Sequence, residues 1–201
     1  MSSSRVRMSS DGRREQLLEL GVRLLGSRPL EELSIEALAE EAGISRGLLY
    51  HYWGNKQDFH AAVVQRAADN LIQVTAPNGT GAPLEQLAGS LTRYVDYVEE
   101  NYQGFVSLLR GAAGGSDALR KIYEETRGTL TERLFEPWVA AEAAQLGLVD
   151  TPRARLLVRG WVALVEEVVL EWVRDPHGIS REELLVTLAA SLPAILAPAA
   201  D

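Results

Sequence analysis

Residues 33–59 read LSIEALAEEAGISRGLLYHYWGNKQDF. Ile35, Leu38 and Ala39 recur at helical spacing, so a helix is expected behind Ser34 as its N-cap, running to about Glu41. Ala42-Gly43-Ile44 reads as a tight turn: alanine is small where two helices approach, and glycine accepts the left-handed backbone that ends a helix. Ser45 then caps a short helix to about Tyr52, with Ile44 and Leu48 or Leu49 turned to the core. Gly54-Asn55 breaks it. A helix, a three-residue turn with glycine and a second short helix form the helix-turn-helix layout.

The outer face of that second helix holds Ser45, Arg46, Gly47, Tyr50, His51 and Tyr52, which are donors and aromatics without a carboxylate. Such a face suits DNA, because the N-terminal end of a recognition helix enters the major groove. Arg46 can read the two acceptors of a guanine. Gly47 lets the backbone come close to the bases. Tyr50 and Lys56 are placed to grip phosphates, and Ser34 can do so from the preceding helix N-terminus. The pattern Leu38-Ala39, Ala42-Gly43-Ile44-Ser45, Gly47, Tyr50, Tyr52-Trp53, Lys56 and Phe59 resembles the DNA-binding segment of the TetR family of bacterial transcriptional regulators. Leu38, Ile44, Trp53 and Phe59 depart from the family's usual residues. Each replaces one apolar side chain with another, so the departures concern packing and leave DNA contact untouched.

Outward from this segment the chain reads helical throughout, with apolar residues three and four apart and no strand-type alternation. The expectation is an all-α fold of about nine helices. The first runs from about Asp11 to Leu25, with Leu17, Leu18, Gly21, Leu24 and Leu25 inward. A fourth runs from about Lys56 to Val74, and TAPNGTGAP (75–83) follows as a loop. Further helices are expected from Pro83 to about Asn101, from Tyr102 to Gly111, and from Asp117 to about Leu146 with a bend near Pro137. Two more start behind Thr151-Pro152 and at Ser180, where Glu183 completes a capping box. Pro193 should kink the last helix or fray its end. The division expected is a basic arm (1–10), a helix-turn-helix domain (11–56), and a second domain (57–201) entered by a connecting helix (57–75).

The 201 residues carry a net charge of −8, 46% hydrophobic residues, no cysteine and three histidines. Without cysteine there is no thiolate site, and three histidines, no pair of them at metal spacing, leave little for a histidine-built one, so no metal and no cofactor is expected. The longest apolar run, Trp161–Val173, is interrupted by Glu166, Glu167 and Glu171, so no membrane span and a cytoplasmic protein are expected. Charge is unevenly spread. Residues 1–14 carry +3 and residues 43–57 carry +2, whereas residues 61–201 carry −7. The Arg5–Arg14 cluster suits either a solvated tail or an arm along DNA. Catalysis is not expected. Adjacent glutamates such as Glu124-Glu125 point about 100° apart on a helix and share no site. GAAGGS (111–116) lacks the lysine of a phosphate loop, and no Gly-x-Ser-x-Gly elbow occurs.

The resemblance implies that the residues after about 75 bind a ligand and dimerise. Aromatics with nearby polar groups point to Tyr94, Phe105, Leu109, Tyr123, Trp161 and Val165 as an apolar pocket, with Arg110, Arg127 and Glu166 as polar neighbours. The last two helices carry more apolar surface than one packed face needs. Leu157, Leu164, Val168, Leu185, Leu188, Leu192 and Ile195 are therefore expected to pair with a second copy, so that two recognition helices read a palindromic operator. The function expected is a repressor released from double-stranded DNA by an unknown small apolar or amphipathic effector. The rival is a helical protein-interaction module that does not bind an operator.

Overall fold

The computed structural model describes residues 10–79, 81–136 and 149–197, and among these the regular structure is helical, with no strand. Nine α-helices are described: α1 Ser10–Ser27, α2 Ile35–Ala42, α3 Arg46–Tyr52, α4 Lys56–Val74, α5 Pro83–Glu100, α6 Tyr102–Ala113, α7 Asp117–Arg133, α8 Pro152–Arg174 and α9 Arg181–Leu196. A 3-10 turn at Leu30–Glu32 joins α1 to α2 and was not anticipated from the sequence. No described helix is long and apolar enough to cross a membrane.

The helix starts follow side-chain chemistry. The Oγ of Ser34 accepts the N–H of Ala37, that of Ser45 accepts Leu48, and the Oγ1 of Thr151 accepts Ala154. Ser180 and Glu183 bond reciprocally at α9. Asn55 and Asp58 do the same at α4: Asn55 Oδ1 accepts the Asp58 N–H at 2.9 Å. Each such cap satisfies a helix-end donor and stabilises by roughly 1 kcal/mol. The expected ends need three corrections. Helix α1 continues past Gly26 to Ser27, whose hydroxyl donates to Leu24 O at 3.1 Å. Helix α6 passes Gly111 and ends at Ala113. Helix α7 stops at Arg133, while the expected continuation beyond residue 136 and its bend at Pro137 lie outside the described residues, as does the arm 1–9. Pro193 stands in the last turn of α9, which closes at Leu196.

The chain forms two compact units. One takes the described residues up to Ala67 together with Gln103–Arg120; the other takes Ala68–Tyr102 and the described residues from Lys121 onward. The expected border at residue 56/57 therefore moves. The part of α4 from Lys56 to Ala67 belongs with the helix-turn-helix, where Phe59 and Val63 are fully buried. Most of α6 joins the same unit. Gly104 lies so close to Leu25 that an added Cβ would sit 3.0 Å from Leu25 Cγ. Ser107 Oγ accepts the buried N–H of Leu30 at 3.0 Å. In the second unit α9 packs on α5 and α8, and α5 on α8, around Val95, Val98, Val158, Val169 and Leu192.

The Leu30 N–H is buried, so Ser107→Ala leaves a donor without a partner, at a cost of about 1–3 kcal/mol. Urea unfolding of that variant should show a lowered midpoint with an unchanged slope. An unchanged midpoint contradicts the assignment of α6 to this core.

Candidate nucleic-acid interface and ligand-domain sites

The α2–α3 turn is set by backbone geometry. Gly43 has φ of 63°. Its N–H donates to Glu40 O at 3.2 Å, and the N–H of Ile44 donates to Ala39 O at 3.0 Å. That pair is the Schellman arrangement, which satisfies two carbonyls at the end of α2 and turns the chain within three residues. Ile35, Leu38 and Leu49 are fully buried behind it, while Ile44 and Leu48 are half-buried. Trp53 and Phe59 pack at 5.2 Å between ring centroids and anchor the far end of α3, with Arg14 over the Trp53 ring.

This packing leaves Ser45, Arg46, Gly47, Tyr50 and His51 exposed, and Tyr52 half-buried. No Cβ clash blocks close approach at Gly47, which has open space around it. Two of the expected phosphate grips have partners inside the protein. The Tyr50 hydroxyl donates to Glu36 Oε1 on α2 at 3.3 Å, so a carboxylate stands beside a face that has none on α3 itself. Lys56 Nζ donates to Glu31 O at 2.9 Å and pins the start of α4 to the 3-10 turn. An ammonium has three donors, so this bond leaves two for a phosphate. Ser34 and Ser45 accept capping bonds and keep their hydroxyl protons to donate. Behind the interface His60 Nε2 donates to Leu33 O at 2.6 Å, and burial holds the imidazole below its ordinary pKa.

The six residues expected to share a pocket are divided. Phe105 and Leu109 belong to the unit of the helix-turn-helix, whereas Tyr94, Tyr123, Trp161 and Val165 belong to the second unit. Sequence spacing cannot show that the chain leaves one unit at Tyr102 and returns at Lys121. Within the second unit, Tyr94, Trp161 and Val165 are buried. The Trp161 indole N–H donates to Ser191 Oγ at 2.8 Å. Tyr123 is the polar centre. Its hydroxyl donates to Glu166 Oε1 at 2.7 Å and accepts from Arg127 Nη1 at 3.1 Å. Arg110 is exposed on α6 and takes no part.

The expected dimer residues also divide. Leu188 and Leu192 are buried in the protomer's own core, and Leu157, Leu185 and Ile195 are half-buried. Leu164 and Val168 do face outward, and they continue a stripe on α8 that starts at Leu156 and Gly160, every fourth residue. Leu156 is 71% exposed and Val186 on α9 is 62% exposed, and neither was anticipated. The heptad-like Leu185-Leu188-Leu192 set marks the inner face of α9, because a helix buried on one side shows the same spacing whichever body it packs against.

A feature without local sequence signal closes the end of α4. Arg133 Nη2 donates to Ile72 O at 2.7 Å and its Nη1 to Thr75 Oγ1 at 3.2 Å. Arg93 Nε donates to Val74 O at 2.7 Å and its Nη2 to Ala76 O at 2.8 Å. Two arginines, from α5 and α7, thus hold the carbonyls that a helix C-terminus leaves open and meet its negative dipole end.

Burial raises the Glu166 carboxyl above its ordinary pKa; the Tyr123 hydrogen bond and Arg127 oppose this, and Glu167 adds to it. Burial and the bond to Glu166 push Tyr123 up to about 12. A carboxyl with a raised folded-state pKa binds a proton before the unfolded chain does, so its burial penalty disappears as pH falls through that value. The stability of the parent protein minus that of Glu166→Gln should therefore rise as pH falls from neutral towards the ordinary carboxyl pKa. A flat difference contradicts a buried, titrating Glu166.

Residues 17–63 match the family model for bacterial regulatory proteins of the tetR family, and residues 83–194 match the tetracyclin repressor-like C-terminal domain. The transcriptional activator FasR of Mycolicibacterium smegmatis is 25% identical over 187 residues, which span 88% of this chain and 79% of FasR. The transcriptional regulator EthR of Mycobacterium tuberculosis is 33% identical over 159 residues, 75% of this chain and 66% of EthR. A crystal structure of a tetR-family regulator from Streptomyces coelicolor superposes with a TM-score of 0.79 at 32% identity, covering 94% of this chain and 82% of that one. These families and relatives are transcriptional regulators, not enzymes. With both halves of its length matched, the chain belongs to the TetR family of bacterial transcriptional regulators.

Proposed function

We propose that this DNA-binding regulator acts in the cytoplasm as a homodimer on a palindromic operator and is released by a small apolar or amphipathic effector held in the second unit. The observation that carries the reading is the α3 face. Ser45, Arg46, Gly47, Tyr50 and His51 stand exposed on a helix whose position is fixed by the buried Ile35, Leu38 and Leu49. In the complex Arg46 reads a base edge, a contact worth about 1–3 kcal/mol of discrimination. Gly47 allows close approach, and Lys56 and the hydroxyls of Ser34, Ser45 and Tyr50 hold phosphates. Tyr50 exchanges Glu36 for the phosphate, which removes a carboxylate from the path of the backbone.

One such helix makes few contacts. Two, about 34 Å apart, read successive major-groove faces. The exposed α8 stripe Leu156-Gly160-Leu164-Val168, with Val186, Ala190 and Ala194 on α9, supports pairing through the last two helices. Glycine and alanines in that stripe allow close helix approach. Tyr94, Tyr123, Trp161 and Val165, with Arg127 and Glu166 as polar anchors, support an effector site in the same unit. Coupling to DNA runs through α4, whose C-terminal carbonyls Arg93 and Arg133 hold. An effector that shifts α5 or α7 draws on those bonds, and α4 carries the shift to the helix-turn-helix. Such coupling is typically about 1–3 kcal/mol. Repression is the default sign; FasR, named as an activator, marks the other outcome for the same fold.

Selection of random duplexes by the purified protein, followed by anisotropy titration across a salt series, tests the reading. A palindrome should be recovered, and affinity should fall steeply with salt, with a log–log slope near −0.9 per phosphate neutralised. Arg46→Ala should weaken the selected duplex by about tenfold or more per half-site while leaving unfolding unchanged. No selected motif, with equal binding by Arg46→Ala, contradicts operator recognition and favours the protein-interaction reading.

A further inference from the structure

Between α7 and α8 the second unit holds a cleft of about 230 Å³, lined by Arg127, Gly128, Thr131, Glu132, Arg155, Leu156 and Arg159. Its charge is opposite to that of the chain as a whole. Arg155 is fully engaged: its Nε and Nη2 fork onto Asp150 at 2.6 and 2.9 Å, its Nη1 donates to both Glu132 oxygens at 2.6 and 2.7 Å, and it lies over the Phe135 ring. Glu132 is thereby neutralised within the cleft. Two guanidiniums remain. Arg127 gives Nη1 to Tyr123, and its Nη2 reaches Arg159 O only at 3.4 Å, while its buried Nε has no partner among the described residues. The Arg159 side chain is exposed and makes no hydrogen bond or ion pair among the described residues.

Two planar cations with unused N–H groups, meeting at a concave site, match the fork geometry of an oxyanion. Glycine at 128 leaves the floor open, since an added Cβ there would meet nothing. Leu156 supplies one apolar edge.

We propose that this cleft binds the carboxylate or phosphate head of a small anionic ligand between Arg127 and Arg159, and that the effector is held there by its charged end. The effector part rests on the function proposed above; the anion site does not. The site also reaches the interior. Arg127 holds the Tyr123 hydroxyl, which in turn holds Glu166, so an anion that draws Arg127 outward loosens the polar centre of the unit.

The test uses the full chain with benzoate, its neutral counterpart benzyl alcohol, and inorganic phosphate, at constant ionic strength held with chloride. Calorimetry and thermal melting read binding, and anisotropy on the selected duplex reads its effect on DNA. Saturable binding of benzoate marks a carboxylate site, and saturable binding of phosphate marks a phosphate site. Benzyl alcohol should be inert. Arg159→Ala should lower affinity for the bound anion about tenfold or more, as removal of a charge-assisted bond does. Arg120→Ala, on α7 outside the cleft, should leave it unchanged. Because Arg159 is exposed, its variant keeps the fold, which the melting curve checks. Binding of neither anion, equal binding by Arg159→Ala, or equal binding of benzyl alcohol overturns the site. Anion binding that leaves operator affinity unchanged overturns the effector role alone. Failure to recover any operator counts against the proposed function and leaves the calorimetric result intact.

Discussion

The left-handed backbone at Gly43 is the constraint on which the reading head depends. A φ of 63° lets the N–H groups of Gly43 and Ile44 return to Glu40 and Ala39, so α2 ends and α3 begins within three residues. A residue with a Cβ pays about 1–2 kcal/mol for that backbone region. Once the turn is made, Ser45 caps α3 directly, and Leu49 drops into the core beside Ile35 and Leu38. The side opposite Leu49 then has no choice but to face outward. The outer face of α3 is thus fixed by packing alone. The DNA contact proposed for it therefore costs side-chain freedom and no refolding.

The second dependence is on α4. It is one continuous helix from Lys56 to Val74, yet its beginning packs with the helix-turn-helix and its end belongs to the second unit. The beginning is held by Asn55–Asp58, by Lys56 on Glu31 and by Phe59 in the core. The end is held by Arg93 and Arg133 on four acceptors, Ile72 O, Val74 O, Thr75 Oγ1 and Ala76 O. Charge-assisted bonds are shorter and stronger than neutral ones, and these are the bonds on which the proposed coupling draws.

Local chemistry made much of this legible. Caps at Ser34, Ser45, Thr151 and Ser180 are short-range patterns of one residue type and one spacing, and each forms as read. The glycine turn and the apolar periods behind it are equally local, which is why the helix-turn-helix needed no tertiary information. What could not be read depends on distant partners. Ser107 meets Leu30 across 77 positions, Arg133 meets Ile72 across 61, and Tyr123 meets Glu166 across 43. No spacing rule links such pairs, so the pocket expected across Phe105 and Tyr94 was assembled from residues in different units. On α9 the leucine period marks an apolar face, but Leu188 and Leu192 fill the protomer's own core, and the outward apolar residues are Leu156, Leu164, Val168 and Val186. Periodicity says that a face is buried and is silent about what buries it.

Amide hydrogen exchange of the full chain with and without the selected duplex tests the central claim, that the preformed α2–α3 surface is what touches DNA. Slowed exchange should appear at the N-terminal turns of α2 and α3 and at the start of α4, around Ser34, Ser45–Gly47 and Lys56. Protection confined to α5, α8 and α9, with none around Ser45–Gly47, contradicts it.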